Sequence, residues 1–86
     1  MDADLENRIK QICFQLEELN KDSSIPRNIR RMAKESKDVL MDEKKAMDVR
    51  AAMAISNLDK MVNDPNIPLH GRPLIWQIMS QLETMK

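Results

Sequence analysis

The chain has 86 residues, 14 basic and 14 acidic side chains, and a formal net charge of zero. Zero net charge gives no bulk electrostatic pull toward nucleic acid. One cysteine excludes an internal disulfide framework, and one cysteine with one histidine cannot fill a tetrahedral zinc set.

The first predicted helix covers about 3–21. Leu5, Ile9, Ile12, Leu16 and Leu19 are spaced four, three, four and three, which places them on one helix face. Cys13 widens that stripe as a core residue. Asp2, Asp4 and Glu6 suit the positive end of the helix. Glu6 with Lys10, and Glu17 with Lys21, are i,i+4 pairs on the wet side. Asp22-Ser23-Ser24-Ile25-Pro26 then breaks the helix, because proline fixes φ and lacks an N–H donor. Ser24 is a candidate N-cap for the second helix.

That second helix is predicted over about 26–42, with Ile29, Met32, Ala33, Ser36, Val39 and Leu40 inward. A short charged connection comes next, without a strong breaker. The third helix covers about 46–63. Ala51, Ile55, Leu58 and Val62 mark its stripe, widened by Ala52, Ala54 and Met61. Asn63-Asp64-Pro65-Asn66-Ile67-Pro68 is the clearest loop. The fourth helix starts between Pro68 and Pro73 and ends near Met85, with Leu74, Ile75, Ile78, Met79, Leu82 and Met85 as its stripe. Gly71 and Pro73 weaken its first turn.

A shift of 42 positions aligns the two halves. Arg8 meets Arg50, Leu16 meets Leu58, Asp22 meets Asp64, Ile25-Pro26 meets Ile67-Pro68, Arg30 meets Arg72 and Leu40 meets Leu82. One hairpin cannot bury its own apolar stripe, so two must pack together. The expected fold is all-α: one domain over 1–86, made of two stacked antiparallel helical hairpins (about 3–42 and 46–85) in a four-helix, bundle-like unit. Surface scaling puts its accessible area near ~5,200 Å². So thin a core leaves no room for a sizeable cofactor, and none is expected.

Asp22, Ile29-Arg30 and Ala33, and again Asp48-Val49-Arg50-Ala51-Ala52, resemble the pattern of HEAT-type repeats. A second resemblance spans nearly the whole chain. It rests on Ile25-Pro26-Arg27-Asn28-Ile29-Arg30-Arg31, Val49-Arg50-Ala51-Ala52, Asn63-Asp64-Pro65-Asn66-Ile67-Pro68, His70, Arg72, Ile75-Trp76 and Ser80-Gln81-Leu82-Glu83. These residues resemble an archaeal group, uncharacterised protein family 0147. The resemblance implies an all-helical bundle and an archaeal source, and brings no activity, substrate or partner with it. Where that family is expected to start its third helix with Ser/Asp-Pro, this chain has Lys44-Lys45-Ala46.

The sharpest local feature is a basic stripe on the second helix: Arg27, Arg30, Arg31, Lys34 and Lys37, opposed only by Glu35. Residues 1–22 carry three basic and six acidic groups, and residues 23–45 carry seven and four. Two readings stand. The stripe neighbours the acidic first helix, or it contacts nucleic-acid phosphates or an acidic protein. No aromatic residue interleaves it, so it offers no base stacking.

Arg30 and Arg72, with Asp22 and Asp64, recur at matched positions. Their simplest role is structural, the Asp capping the next helix and the Arg bracing the turn. His70, Arg72 and Trp76 form a possible interaction surface around the last loop. His70 either bonds loop carbonyls or serves as a ligand contact or acid–base group, with Asp64 the nearest acid in sequence. Phe14 and Trp76 stand off the stripes, as plugs between hairpins or as part of a contact surface. Met41, Met47 and Met53 are core fillers or a partner face.

No Walker loop, GxGxxG, HExxH or GxSxG pattern is present, so no enzyme and no metal site are expected. No run approaches the ~20 apolar residues of a membrane-spanning helix. The acidic first residues lack a signal-peptide core. A cytoplasmic interaction module is expected, with an unidentified protein or a second copy as partner, bound through a face built by the second and third helices or by the 63–73 loop with Trp76. A nucleic-acid accessory protein is the alternative.

Overall fold

A computed structural model describes residues 3–85. Four helices are present and, among these residues, no strand: α1 (Ala3–Lys21), α2 (Arg27–Leu40), α3 (Met47–Val62) and α4 (Gly71–Glu83). The fold is therefore all-α, as the periodicity requires. The place expected for Asp2 lies outside the described residues, while Asp4 and Glu6 do sit in the first turn of α1.

The helices α2, α3 and α4 end one or two residues short of their predicted limits. At the end of α2, the Asp42 N–H reaches the Val39 carbonyl at 3.2 Å, an i→i−3 bond. Asp64 does the same with Met61 after α3, and Met85 with Leu82 after α4. These tightened turns keep the helical apolar spacing beyond the last α-helical bond.

Helix α1 packs on α2, α2 on α3 and α3 on α4, with a smaller contact between α1 and α4. Ile9, Ile12, Cys13, Leu16 and Leu19 of α1 enter the same core as Leu58 and Met61 of α3 and Ile75, Ile78 and Leu82 of α4. Burying each of the large aliphatic side chains contributes about 1.5–3 kcal/mol. Ser36 is the polar exception on α2. It is fully buried, and its hydroxyl donates to the Met32 carbonyl at 2.9 Å. Ala52, expected on the stripe of α3, is exposed. The accessible surface is 5244 Å², close to the expectation from chain length.

All three interhelix turns have one construction. An aspartate side chain accepts the N–H two residues on: Ser24 to Asp22 at 2.9 Å, Lys44 to Asp42 at 3.1 Å and Asn66 to Asp64 at 2.8 Å. The same aspartate's carbonyl accepts the N–H three residues on, from Ile25, Lys45 and Ile67. Asx-turns of this kind reverse the chain without glycine. The middle connection, which has no proline, is therefore closed by the same pair of bonds as the other two. Ile25 and Ile67 fill the turns with buried side chains. At the matching place Lys45 instead ties its ammonium to Asp42 at 2.7 Å.

This construction corrects two expectations. Ser24 is not the N-cap of α2. That position is Pro26, without a side-chain cap bond, and the Ser24 hydroxyl donates to Asp22 at 2.6 Å. Nor does Asp22 cap the following helix, since its carboxylate bonds within the turn and to His70.

Candidate functional site

The turn after α1 and the turn after α3 meet at one end of the molecule. His70 Nε2 lies 2.8 Å from Asp22 Oδ2, and Asn28 Nδ2 donates to Asp64 Oδ2 at 3.4 Å. Asn28 and His70 occupy matched positions, each six residues after the aspartate of its own turn. Each thus reaches the aspartate of the other turn. The acid that holds His70 is Asp22, 48 positions away, rather than the sequence-adjacent Asp64.

The Ser24 hydroxyl, His70 and the Ser24 N–H together hold the Asp22 carboxyl down to about 2, with the Ser24 hydroxyl contributing most. Ser24 Oγ is also 3.4 Å from the same His70 nitrogen. Aspartate, serine and imidazole are therefore all present, but both oxygen groups face one ring nitrogen. A hydrolytic relay needs the carboxylate on one nitrogen and the nucleophile on the other. A shallow cleft of about 320 Å³ adjoins this cluster, lined by Glu18, Leu19, Lys21, Asp22, His70, Gly71 and Leu74. At the other end of the molecule α1 is tied to the end of α4 by Arg8 Nη2, which donates to the Thr84 hydroxyl.

Arginine recurs eight residues after each turn aspartate: Arg30, Arg50 and Arg72. Arg50 is 7 % exposed. Its Nε donates to the Lys45 carbonyl at 2.7 Å and its Nη1 to the Leu40 carbonyl at 3.4 Å, bracing the turn it follows. Arg30 and Arg72 are half-buried, and their Nε atoms are buried without a hydrogen-bond partner among the described residues. Bracing is thus seen in full at Arg50, which the two-part alignment pairs with Arg8 instead of with Arg30 and Arg72. A three-way alignment of Asp22, Asp42 and Asp64 brings it into register.

The basic stripe of α2 divides. Lys37 pairs with Glu17 of α1 at 3.0 Å, which lowers the Glu17 carboxyl and raises the Lys37 ammonium through their hydrogen bond. Glu17 thus reaches across to α2, and no ion pair to Lys21 forms among the described residues. Lys34 pairs with Asp38 at 3.3 Å on the exposed face. Arg27 and Arg31 are exposed, with no ion pair among the described residues. Complementarity with α1 accounts for part of the stripe and leaves two arginines to solvent.

Phe14 and Trp76 plug no gap: they are 66 % and 55 % exposed. Leu69, Pro73 and Trp76 follow at spacings of four and three along the outer side of α4 and the turn before it. All three are exposed, Leu69 at 84 %. Met41 and Met53 are exposed, whereas Met47 packs against the core. Cys13 is buried, and burial pushes its thiol up. No cluster of three metal-ligating side chains occurs among the described residues. No described helix is long and apolar enough to cross a membrane.

The chain matches known proteins over almost its full length. The model of the uncharacterised protein family UPF0147 matches residues 1–85. A UPF0147 protein of Methanosarcina mazei is 51 % identical over 77 residues, which cover 90 % of this chain and 83 % of the relative. One from Pyrococcus abyssi is 45 % identical over 85 residues, covering 98 % and 99 %. The crystal structure of MMP1188, a protein of unknown function, superposes with a TM-score of 0.92 at 42 % identity, covering 100 % of this chain and 98 % of that one. A UPF0147 protein from Thermoplasma acidophilum gives 0.88 at 40 % identity, covering 94 % and 95 %. The chain belongs to the uncharacterised protein family UPF0147.

Proposed function

We propose that this protein is a small non-catalytic interaction module of the cytoplasm that docks a protein partner on the outer face of α4. The observation that carries the reading is the exposed run Leu69, Pro73, Trp76. Tryptophan is enriched among residues that dominate binding energy, and a leucine left 84 % exposed gains by being covered. His70 and Arg72 border the run and supply a polar rim.

The architecture we propose beneath it is two antiparallel hairpins, stacked in the manner of HEAT-type repeats. The reciprocal pairs Asp22 with His70 and Asn28 with Asp64 support that reading, because they join the halves at matched positions. The shared nitrogen of His70 favours a structural clasp over a catalytic relay. A buried, unpaired Cys13 suits a reducing compartment.

The test is affinity capture from native lysate with the wild type and with a Leu69→Ser, Trp76→Ala double variant. Both positions are exposed, so the variant should keep its helical circular dichroism. Proteins recovered with the wild type and lost with the variant are the expected result. Identical recovery with both would overturn the choice of face. Arg27 and Arg31 favour a second reading, an RNA- or DNA-associated accessory role. It requires affinity that falls steeply with salt and weakens on Arg27→Glu or Arg31→Glu.

A further inference from the structure

A cleft of about 430 Å³ lies between the start of α1, the end of α2 and the start of α3. Its walls are mostly apolar, from Ile9, Leu40, Met41 and Met47. Arg50 also lines it and is the one buried charged side chain among the described residues. A guanidinium carries five N–H donors. Two of Arg50's are spent on the Lys45 and Leu40 carbonyls, and no carboxylate within the described residues forms an ion pair with it. The Arg50 charge is felt by the Asp42 carboxyl, which is tied to Lys45 instead of pairing with it, and the remaining donors of an arginine fork match a carboxylate.

The backbone adds to this. The 16-residue helix α3 begins at the same cleft, and its N-cap residue, Ala46, has no side-chain acceptor to offer. The positive end of the helix dipole therefore adds to the guanidinium. Asp48 takes up the Val49 N–H at 2.9 Å and offsets part of it. Glu6, Glu43 and Lys10 also line the cleft, but all three side chains are exposed, where water screens them. The buried charge of the site is positive and its walls are greasy.

We propose that this cleft binds an amphipathic carboxylate: a carboxyl group on Arg50 and the start of α3, with an apolar body against Ile9, Leu40, Met41 and Met47. A free short-chain fatty acid and the C-terminus of a peptide ending in an apolar residue share that chemistry. The site is separate from the outer face of α4 and does not depend on it.

The test is titration of the ¹³C-methyl-labelled full chain, read at the methyl signals of Ile9, Met41 and Met47. The probes are octanoate, octanol, octylammonium and acetyl-Ala-Leu as acid and as amide. Octanoate or the peptide acid should shift these methyls at least ten-fold more tightly than its uncharged counterpart. Which acid binds better names the source. Arg50→Met should abolish that preference. Because Arg50 also braces a turn, Met41→Glu serves as the second variant. It leaves the fold intact, sets a negative charge at the mouth and should weaken octanoate ten-fold or more while sparing octanol. Methyls that stay unshifted under saturating octanoate, equal binding of octanoate and octanol, or preference for octylammonium would each overturn the proposal.

Discussion

Arg50→Met is the most informative single change to the fold. It deletes two hydrogen bonds from a charged donor, one at 2.7 Å and one at the long limit of 3.4 Å. Losing the short bond costs about 1.5–3 kcal/mol, and the long one about 0.5–1. Removing a buried charge that forms no ion pair returns about 1 kcal/mol. The balance is a loss of about 1–3 kcal/mol. A domain of 86 residues has about 4–13 kcal/mol in all. For this size each kcal/mol moves the midpoint by about 4–8 °C, so a fall of roughly 8–16 °C is the central expectation. Thermal and urea unfolding followed by circular dichroism measure it. Arg30→Met and Arg72→Met are the controls, since their Nε atoms make no bond and each should cost under about 1 kcal/mol. An Arg50→Met protein that melts within about 3 °C of wild type, or above it, would refute the bracing role.

Three further outcomes are expected. Asp22 has its folded carboxyl pKa depressed to about 2, below the ordinary 3.8, so the unfolded chain binds more protons and the stabilisation is present above about pH 4 and lost as pH falls toward 2. Asp22→Asn should flatten urea stability across that window relative to wild type, and an unchanged slope would contradict the assignment. Gly71 has no positive φ, and a Cβ there would meet Ile67 only at 3.5 and 3.7 Å. Gly71→Ala should therefore stabilise by about 0.5–1 kcal/mol, and a lower melting temperature would show a clash that this geometry lacks. Leu58→Ala empties a fully buried position and should cost about 2–5 kcal/mol in urea unfolding; a loss under about 1 kcal/mol would mean that the core closes over the gap.

The helices are legible in the sequence because Leu16, Leu58 and Leu82 each sit in a four-three rhythm that only a helix satisfies. The two proline-marked turns are legible for the same local reason. The middle turn is not, because Lys45 and Ala46 stand where Ile and Pro stand in the others. That turn is made by the Asp42 side chain, a signal carried by one residue. Neither the Asp22–His70 contact nor the reciprocal Asn28–Asp64 contact can be read from neighbours in sequence, since each joins residues more than 30 positions apart. The role of Arg50 is hidden by the 42-residue offset, which pairs it with Arg8 on α1. The shorter spacing from one turn to the next pairs it with Arg30 and Arg72. Trp76 is conspicuous in the sequence, as the one tryptophan and off the stripe of its helix.

The most direct measurement on the proposed function is capture of the tagged protein from native lysate divided into nuclease-treated and untreated halves. Docking through Leu69, Pro73 and Trp76 predicts the same proteins from both halves and their loss with the Leu69→Ser, Trp76→Ala variant. Recovery that collapses after nuclease, or that survives the variant, would contradict it.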